Sequence, residues 1–255
     1  MPEKTSYQPG EPTWVDLGTP DKDKTVAFYT SLFGWTYGGG NDEFGGYGSF
    51  FSGGKQVAGV MPVMSPEQPA VWMSYVSTSD ADKTAALVVE SGGMTFAPPM
   101  DVGDLGRMAI FADPAGAAFG IWQPKAMTGA DLVDEEGALT WIETSTRDQA
   151  AVLPFYAAVF GWEAKVEEGY TELQLAGTSV AGCMDMPDMV PAEVPSYWMP
   201  YFGASDPAAK AQQAAGLGGT VLVPSMDFAG GTFSVVQDPH GSTFGLLRLN
   251  SSLNS

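Results

Sequence analysis

Two carboxylates in this 255-residue chain stand where acid–base or hydrogen-bonding chemistry could be done. Asp16 follows Trp14 by two residues, and Glu143 follows Trp141 by two. The surrounding runs, TWVDLGT and LTWIETST, are rich in strand-forming residues, and in a strand residues i and i+2 share a face. An acid beside a tryptophan on an inward face loses water, so its pKa rises toward neutrality, which suits a general base. The same placement also suits hydrogen bonding to a ligand or to backbone N–H groups, and all three roles stay open.

The two acids are copies of one another. Residues 12–35, PTWVDLGTPDKDKTVAFYTSLFGW, recur as ALTWIETSTRDQAAVLPFYAAVFGW at 138–162, and the matched positions stay 127 residues apart. Trp14 matches Trp141, Phe28-Tyr29 matches Phe155-Tyr156, and the run ending in Trp35 matches the one ending in Trp162. Such a register over two dozen positions marks a duplication.

The elements that must position the acids follow from the same text. After each strand comes a helix, opened by Thr19-Pro20 as N-cap and first helical residue in one copy and by Ser145 or Thr146 in the other. Gly34 and Gly161 close the helices. Short strands with glycine-rich turns follow, and VAGVM (57–61) matches VAGCM (180–184) at an offset of 123. A second strand–helix–strands unit then begins at AVWMSYVSTS and at SYWMPYFGAS, each ending in a strand after an Asp-Pro-x-Gly turn. The expected organisation is an N-terminal tail (1–11), a first domain (12–123), an acidic linker (124–137), a second domain (138–249) and a C-terminal tail (250–255).

Composition narrows the partners. Eleven basic residues against thirty acidic ones give a net charge of −19, which leaves no phosphate-neutralising stripe for nucleic acid and repels anionic membranes. No run approaches the roughly 20 apolar residues of a membrane span, and the polar start of the chain does not read as a signal peptide. The expected location is cytoplasmic, as monomer or homodimer. Cys183, the single cysteine, sits in an apolar run and is expected to be buried.

Four βαβββ units, FYxxxFGW after the first helix, VAGxM in the last strand of units one and three, and DPxGxxFG near the end of each half resemble the vicinal oxygen chelate superfamily. This is the glyoxalase, bleomycin-resistance and extradiol-dioxygenase family, and the actinobacterial two-domain glyoxalase-like proteins are the nearest group. The resemblance covers residues 12–249. It implies an α+β fold in which paired units curl eight strands into a cup, so that this chain holds two cups.

Metal-bearing members of that family place His, Gln or Glu ligands on the first and last strands of the units. Carried over by spacing, those positions hold Trp14 and Trp141, Gly120 and Gly245, Trp72/Met73 and Trp198/Met199, and Ala58/Gly59 and Ala181/Gly182. None of these ligates a hard or borderline cation. The one histidine, His240, falls in a DPxG turn and is expected to be exposed there, so a two-His-one-carboxylate iron site is not available within one chain. No cofactor is implied. Arg107 and Arg248, scarce cations, are expected at the surface.

The resemblance thus points to a cup with an aromatic wall. Trp14 brings Asp16, Trp141 brings Glu143, Gly120 brings Trp122, and Met73 and Met199 bring Tyr75 and Tyr201. With Trp72, Trp198 and Gly245, these residues would bind a flat, largely apolar molecule, the glycines opening room opposite each tryptophan. Asp16 and Glu143 are the candidate catalytic groups. The expected function is metal-independent binding of a small hydrophobic or aromatic molecule. The alternatives are a glyoxalase-type lyase or isomerase, a metal-free acid–base enzyme acting on a small carbonyl or polyketide-like substrate, and a protein whose cups are plugged by tryptophan.

Overall fold

The computed structural model describes residues 3–40, 45–65, 67–167, 169–188 and 190–250. Apart from Asn250, the C-terminal tail lies outside the described residues, as do positions 1 and 2 and the tip of the first glycine-rich hairpin.

Each quarter of the chain forms one strand, one helix and three strands. The first half runs β1 (Pro12–Thr19), α1 (Lys22–Phe33), β2 (Thr36–Gly39), β3 (Gly48–Ser52), β4 (Lys55–Pro62), β5 (Val71–Ser77), α2 (Ala81–Glu90), β6 (Met94–Val102), β7 (Gly106–Ala112) and β8 (Ala118–Pro124). The second repeats this as β9 (Leu139–Thr146), α3 (Gln149–Phe160), β10 (Glu163–Glu167), β11 (Tyr170–Leu175), β12 (Thr178–Asp185), β13 (Tyr197–Gly203), α4 (Pro207–Gly216), β14 (Thr220–Phe228), β15 (Gly231–Gln237) and β16 (Thr243–Leu249).

Consecutive units pair. One eight-stranded sheet has the order β2-β3-β4-β1-β5-β8-β7-β6, and the other repeats it as β10-β11-β12-β9-β13-β16-β15-β14. In each, the antiparallel contact of the two first strands, β1 with β5 and β9 with β13, joins the units at the centre. Neither sheet closes, so each is a half-barrel with a concave face.

The caps sit later than the sequence suggests. Asp21 caps α1, its side chain accepting from the Lys24 N–H at 3.1 Å, and Asp148 caps α3, accepting from Ala151 at 3.0 Å. The upstream threonine turns inward instead: the Thr19 hydroxyl bonds Thr25 at 2.7 Å. An aspartate outcompetes it because a charged acceptor also meets the positive end of the helix dipole. Gly34 and Gly161 end α1 and α3 with φ of 72° and 71°, the left-handed closure that glycine adopts without strain.

All four helices and the adjoining face of both sheets share one core. The Phe-Tyr pair of each half reaches across to the other. The Tyr29 ring packs against Phe244, which in turn packs against Phe202, and its hydroxyl donates to Asp238 at 3.2 Å. Tyr156 donates to Asp113 at 2.7 Å. Asp113 and Asp238 are the acids of the two DPxG turns, each also holding two backbone N–H groups of its own turn. Trp35 donates to the Gly137 carbonyl at 2.9 Å and Trp162 to that of Gly10 at 2.8 Å, so each half pins the chain entering the other. The FGW motif therefore serves the union of the halves.

Residues 124–137, expected as an acidic linker, are pinned against the first half. Ala130 donates its N–H to the Thr13 carbonyl at 2.9 Å, Asp131 donates to Gln56 at 2.8 Å, and Leu132 is buried. Met127, Ala130 and Val133 pack inward, and Asp131 accepts from the Gln56 N–H at 2.9 Å, a pattern that an aperiodic segment does not show in sequence.

Candidate functional site

The concave face of each sheet is built around one register. In the first half Asp16 lies between Gly59 and Met73, and Trp14 is opposite Tyr75, which in turn neighbours Gly120. In the second, Glu143 lies between Gly182 and Met199, with Trp141 opposite Tyr201 and Tyr201 beside Gly245. These are one layout drawn twice, and both place the acid at the floor of the cup.

A tyrosine that sequence reasoning missed completes each floor. Tyr47 reaches over Gly59, accepts from Trp14 Nε1 at 2.9 Å and donates to Asp16 Oδ2 at 3.2 Å. Tyr170 reaches over Gly182 and accepts from Trp141 Nε1 at 2.9 Å. Any Cβ on Gly59 or Gly182 would overlap these hydroxyls, which is why glycine stands there. The signal was present: Tyr47 and Tyr170 keep the offset of 123 that joins VAGVM to VAGCM. Across the cup, the Tyr201 hydroxyl donates to Glu143 Oε1 at 2.9 Å.

Both acids are buried, at 5% and 6% relative exposure, and among the described residues no cation pairs with them. Desolvation pushes Asp16 up to about 7, against the opposing pull of hydroxyl donation from Tyr75 and Tyr47. Glu143 is raised for the same reason, with Tyr170 and Tyr201 pulling it back. Arg107 pairs with Asp82 and Asp101, and the exposed Arg248 donates to Thr232, so neither arginine serves a cup acid.

Three expectations need correction. Trp72 and Trp198 do not face the cups. With a two-residue period, Met73 and Tyr75 take the concave face, which sends Trp72 to the helix side, where it donates to Tyr29 at 3.0 Å; Trp198 likewise donates to Tyr156 at 2.7 Å. Gly120 and Gly245 do not open room opposite the tryptophans. The rings of Tyr75 and Tyr201 lie on them, within about 2 Å of where a Cβ would stand, so the missing side chain is filled by a neighbour. His240 is partly buried in its turn, and its ring Nε2 has no partner among the described residues.

The two cups differ in what lies over them. In the first, Trp14, Tyr75 and Trp122 are 4%, 5% and 6% exposed, and Met127, Ala130 and Val133 of the connecting segment pack against them. Trp122 Nε1 donates to the Met127 carbonyl at 2.8 Å, and the Thr13 hydroxyl to that of Thr128 at 2.9 Å, which fastens this strap over the mouth. In the second, the apolar group of Met199, Tyr201, Val235 and Leu247 is lined by strand residues alone, with Trp141, Phe233 and Val223 half-buried at its border.

The duplicated βαβββ sheets match two family models, one described as the glyoxalase/bleomycin resistance protein/dioxygenase superfamily over residues 12–121 and one as a glyoxalase-like domain over 141–247. A Mycobacterium tuberculosis protein named "Putative glyoxylase CFP32" is 39% identical over 97% of this chain and 98% of its own length. The chain belongs to the glyoxalase/bleomycin resistance protein/dioxygenase superfamily. Another member, the anthracycline biosynthesis protein DnrV of Streptomyces peucetius, is 37% identical over 96% of this chain and 95% of its own. Among solved structures, the Mn(II)-bound glyoxalase of Novosphingobium aromaticivorans superposes with a TM-score of 0.66 at 20% identity, covering 93% of this chain and 81% of that one. The dioxygenase LapB of Pseudomonas sp. KL28 gives 0.65 at 14% identity, over 93% and 91%. These two show the shared fold.

A metal of the kind that this superfamily implies does not fit the residues present. Each cup offers a single carboxylate, flanked by Trp, Met, Gly and Tyr, and no three His, Cys, Asp or Glu side chains converge among the described residues. Trp14 and Trp141 stand where ligands would be required and spend their N–H groups on tyrosines. A divalent cation there would meet one oxygen donor and an apolar wall.

Proposed function

We propose that this protein binds a flat, largely apolar small molecule without a metal, and that the second cup is the site. The observation that carries this is the half-buried Trp141 standing beside a buried, hydrogen-bonded Glu143, where the equivalent Trp14 is covered by a strap. An aromatic wall supplies contact area at little entropic cost, and one polar group at the floor fixes orientation. The relative named for anthracycline biosynthesis supports such a ligand, an anthracycline being a fused-ring compound.

A second role, acid–base turnover of a small carbonyl substrate, is favoured by the raised pKa of Glu143, since burial that disfavours the ionised carboxylate makes it a stronger proton acceptor. Titration calorimetry and tryptophan quenching with a panel of fused-ring aromatics test the binding role. Binding by at least one compound, weakened about tenfold by Trp141→Ala, is the expected result; no binding by any member overturns it. A stoichiometric metal that co-purifies and is required for binding removes the metal-free part. Turnover that is abolished by Glu143→Gln establishes the enzyme.

A further inference from the structure

In the second cup the two tyrosines on Glu143 are not equivalent. The Tyr170 hydroxyl already accepts from Trp141 Nε1 at 2.9 Å, and from beside the Glu143 carboxyl it lowers that pKa. The Tyr201 hydroxyl has one partner, Glu143 Oε1 at 2.9 Å, which leaves an oxygen lone pair uncommitted among the described residues. Its ring is held flat on Gly245 and braced edge-on by Phe233, at 6.4 Å between centroids, so the hydroxyl cannot swing away. We propose that Tyr201 is the group that contacts the ligand, and that with Glu143 it forms a reversible donor–acceptor pair reading one oxygen atom on a fused-ring ligand, as a hydroxyl or as a carbonyl.

The chemistry follows from counting protons. With Glu143 ionised, Tyr201 donates to it and presents a lone pair to the cup, which accepts from a ligand hydroxyl. With Glu143 protonated, the carboxyl donates to the Tyr201 oxygen, whose own proton turns to a ligand carbonyl. Either arrangement satisfies every group, and the two differ by one proton on Glu143, taken from or returned to solvent. Burial brings the two forms of Glu143 closer in free energy, so choosing between them costs less than it would in water. Ligands whose ring oxygen interconverts between enol or phenol and ketone are therefore the class this floor suits. The first cup differs in its cover: Tyr47 and Tyr75, the counterpart of Tyr201, both act on Asp16, but Met127 packs over the group.

This inference rests on the binding role proposed above, and one experiment separates the two. Affinities of the full chain for naphthalene, 1-naphthol and 1-tetralone are measured by titration calorimetry at pH 7. The expected result is that naphthol and tetralone bind within about threefold of each other and each about tenfold tighter than naphthalene, the worth of one good hydrogen bond. Tyr201→Phe should collapse that preference to within about twofold while naphthalene still binds, which also reports that the variant folds. If all three bind wild-type protein equally, or only the naphthol gains, the donor–acceptor pair is overturned and the binding role survives. If none binds, the binding role itself falls.

Discussion

Trp14 and Trp141 occupy the same register, bond the same tyrosine and stand beside the same kind of acid, yet one is buried and the other half-exposed. The difference does not arise within the sheets. It comes from the chain leaving β8, which turns back through Met127 and Ala130 and lays a strap over the first cup. A duplicated scaffold can thus keep two copies of one constellation and cover only one, without any change in the constellation itself.

The largest test of this contrast is truncation of each tryptophan. Trp14→Ala should cost about 3–5 kcal/mol in urea-unfolding free energy, as a buried aromatic does, and Trp141→Ala roughly half of that. Equal losses would show that the second cup is as tightly packed as the first.

Titration gives the next largest effect. Asp16 is protonated more readily in the folded state, with its pKa near 7 against an ordinary value of 3.8, so the native protein binds more protons across that window. Stability therefore falls as pH rises from about 4 to about 7. Asp16→Asn should remove that slope and raise stability at pH 8 by a few kcal/mol. Glu143→Gln should act with the same sign, above the ordinary glutamate range. Thermal melts across pH 4 to 8 check both, and a wild-type stability that rises through this interval would contradict the burial of the acids.

A smaller and symmetric effect is expected between the halves. Tyr29→Phe and Tyr156→Phe each remove one donor to a buried aspartate, Asp238 or Asp113, and the acceptor of a buried tryptophan N–H, Trp72 or Trp198, and should cost about 1–3 kcal/mol apiece. Similar losses would place the asymmetry in the cups alone. The smallest effect concerns the strap. Met127→Ala should destabilise by about 1 kcal/mol, since the side chain is only partly buried, and should raise acrylamide quenching of tryptophan emission. Unchanged quenching would mean that Met127 does not shield Trp14 and Trp122.

Much of this was legible in the sequence because duplication and period-two alternation are local signals. The offset of 127 located both acids, and the i, i+2 rule put Trp14 with Asp16 and Met73 with Tyr75 on one face. The same rule, applied strictly, separates Trp72 from Met73, and pooling the two was the error at Trp72 and Trp198. The offset of 123 relates Tyr47 to Tyr170, but that these two side chains lie over the acids shows only once β3 and β11 pair with β4 and β12.

What the sequence by itself determined is the doubled βαβββ plan and one acid beside one tryptophan in each half. Covalent order and strand periodicity suffice for these, because they are properties of neighbours along the chain. Only the tertiary structure decided that Gly120 and Gly245 are filled by tyrosine rings, that the helices and both sheets share one core, and that residues 124–133 close one cup. Those outcomes depend on close packing between segments distant in sequence, where a space left by one residue is taken by whichever side chain the fold brings to it.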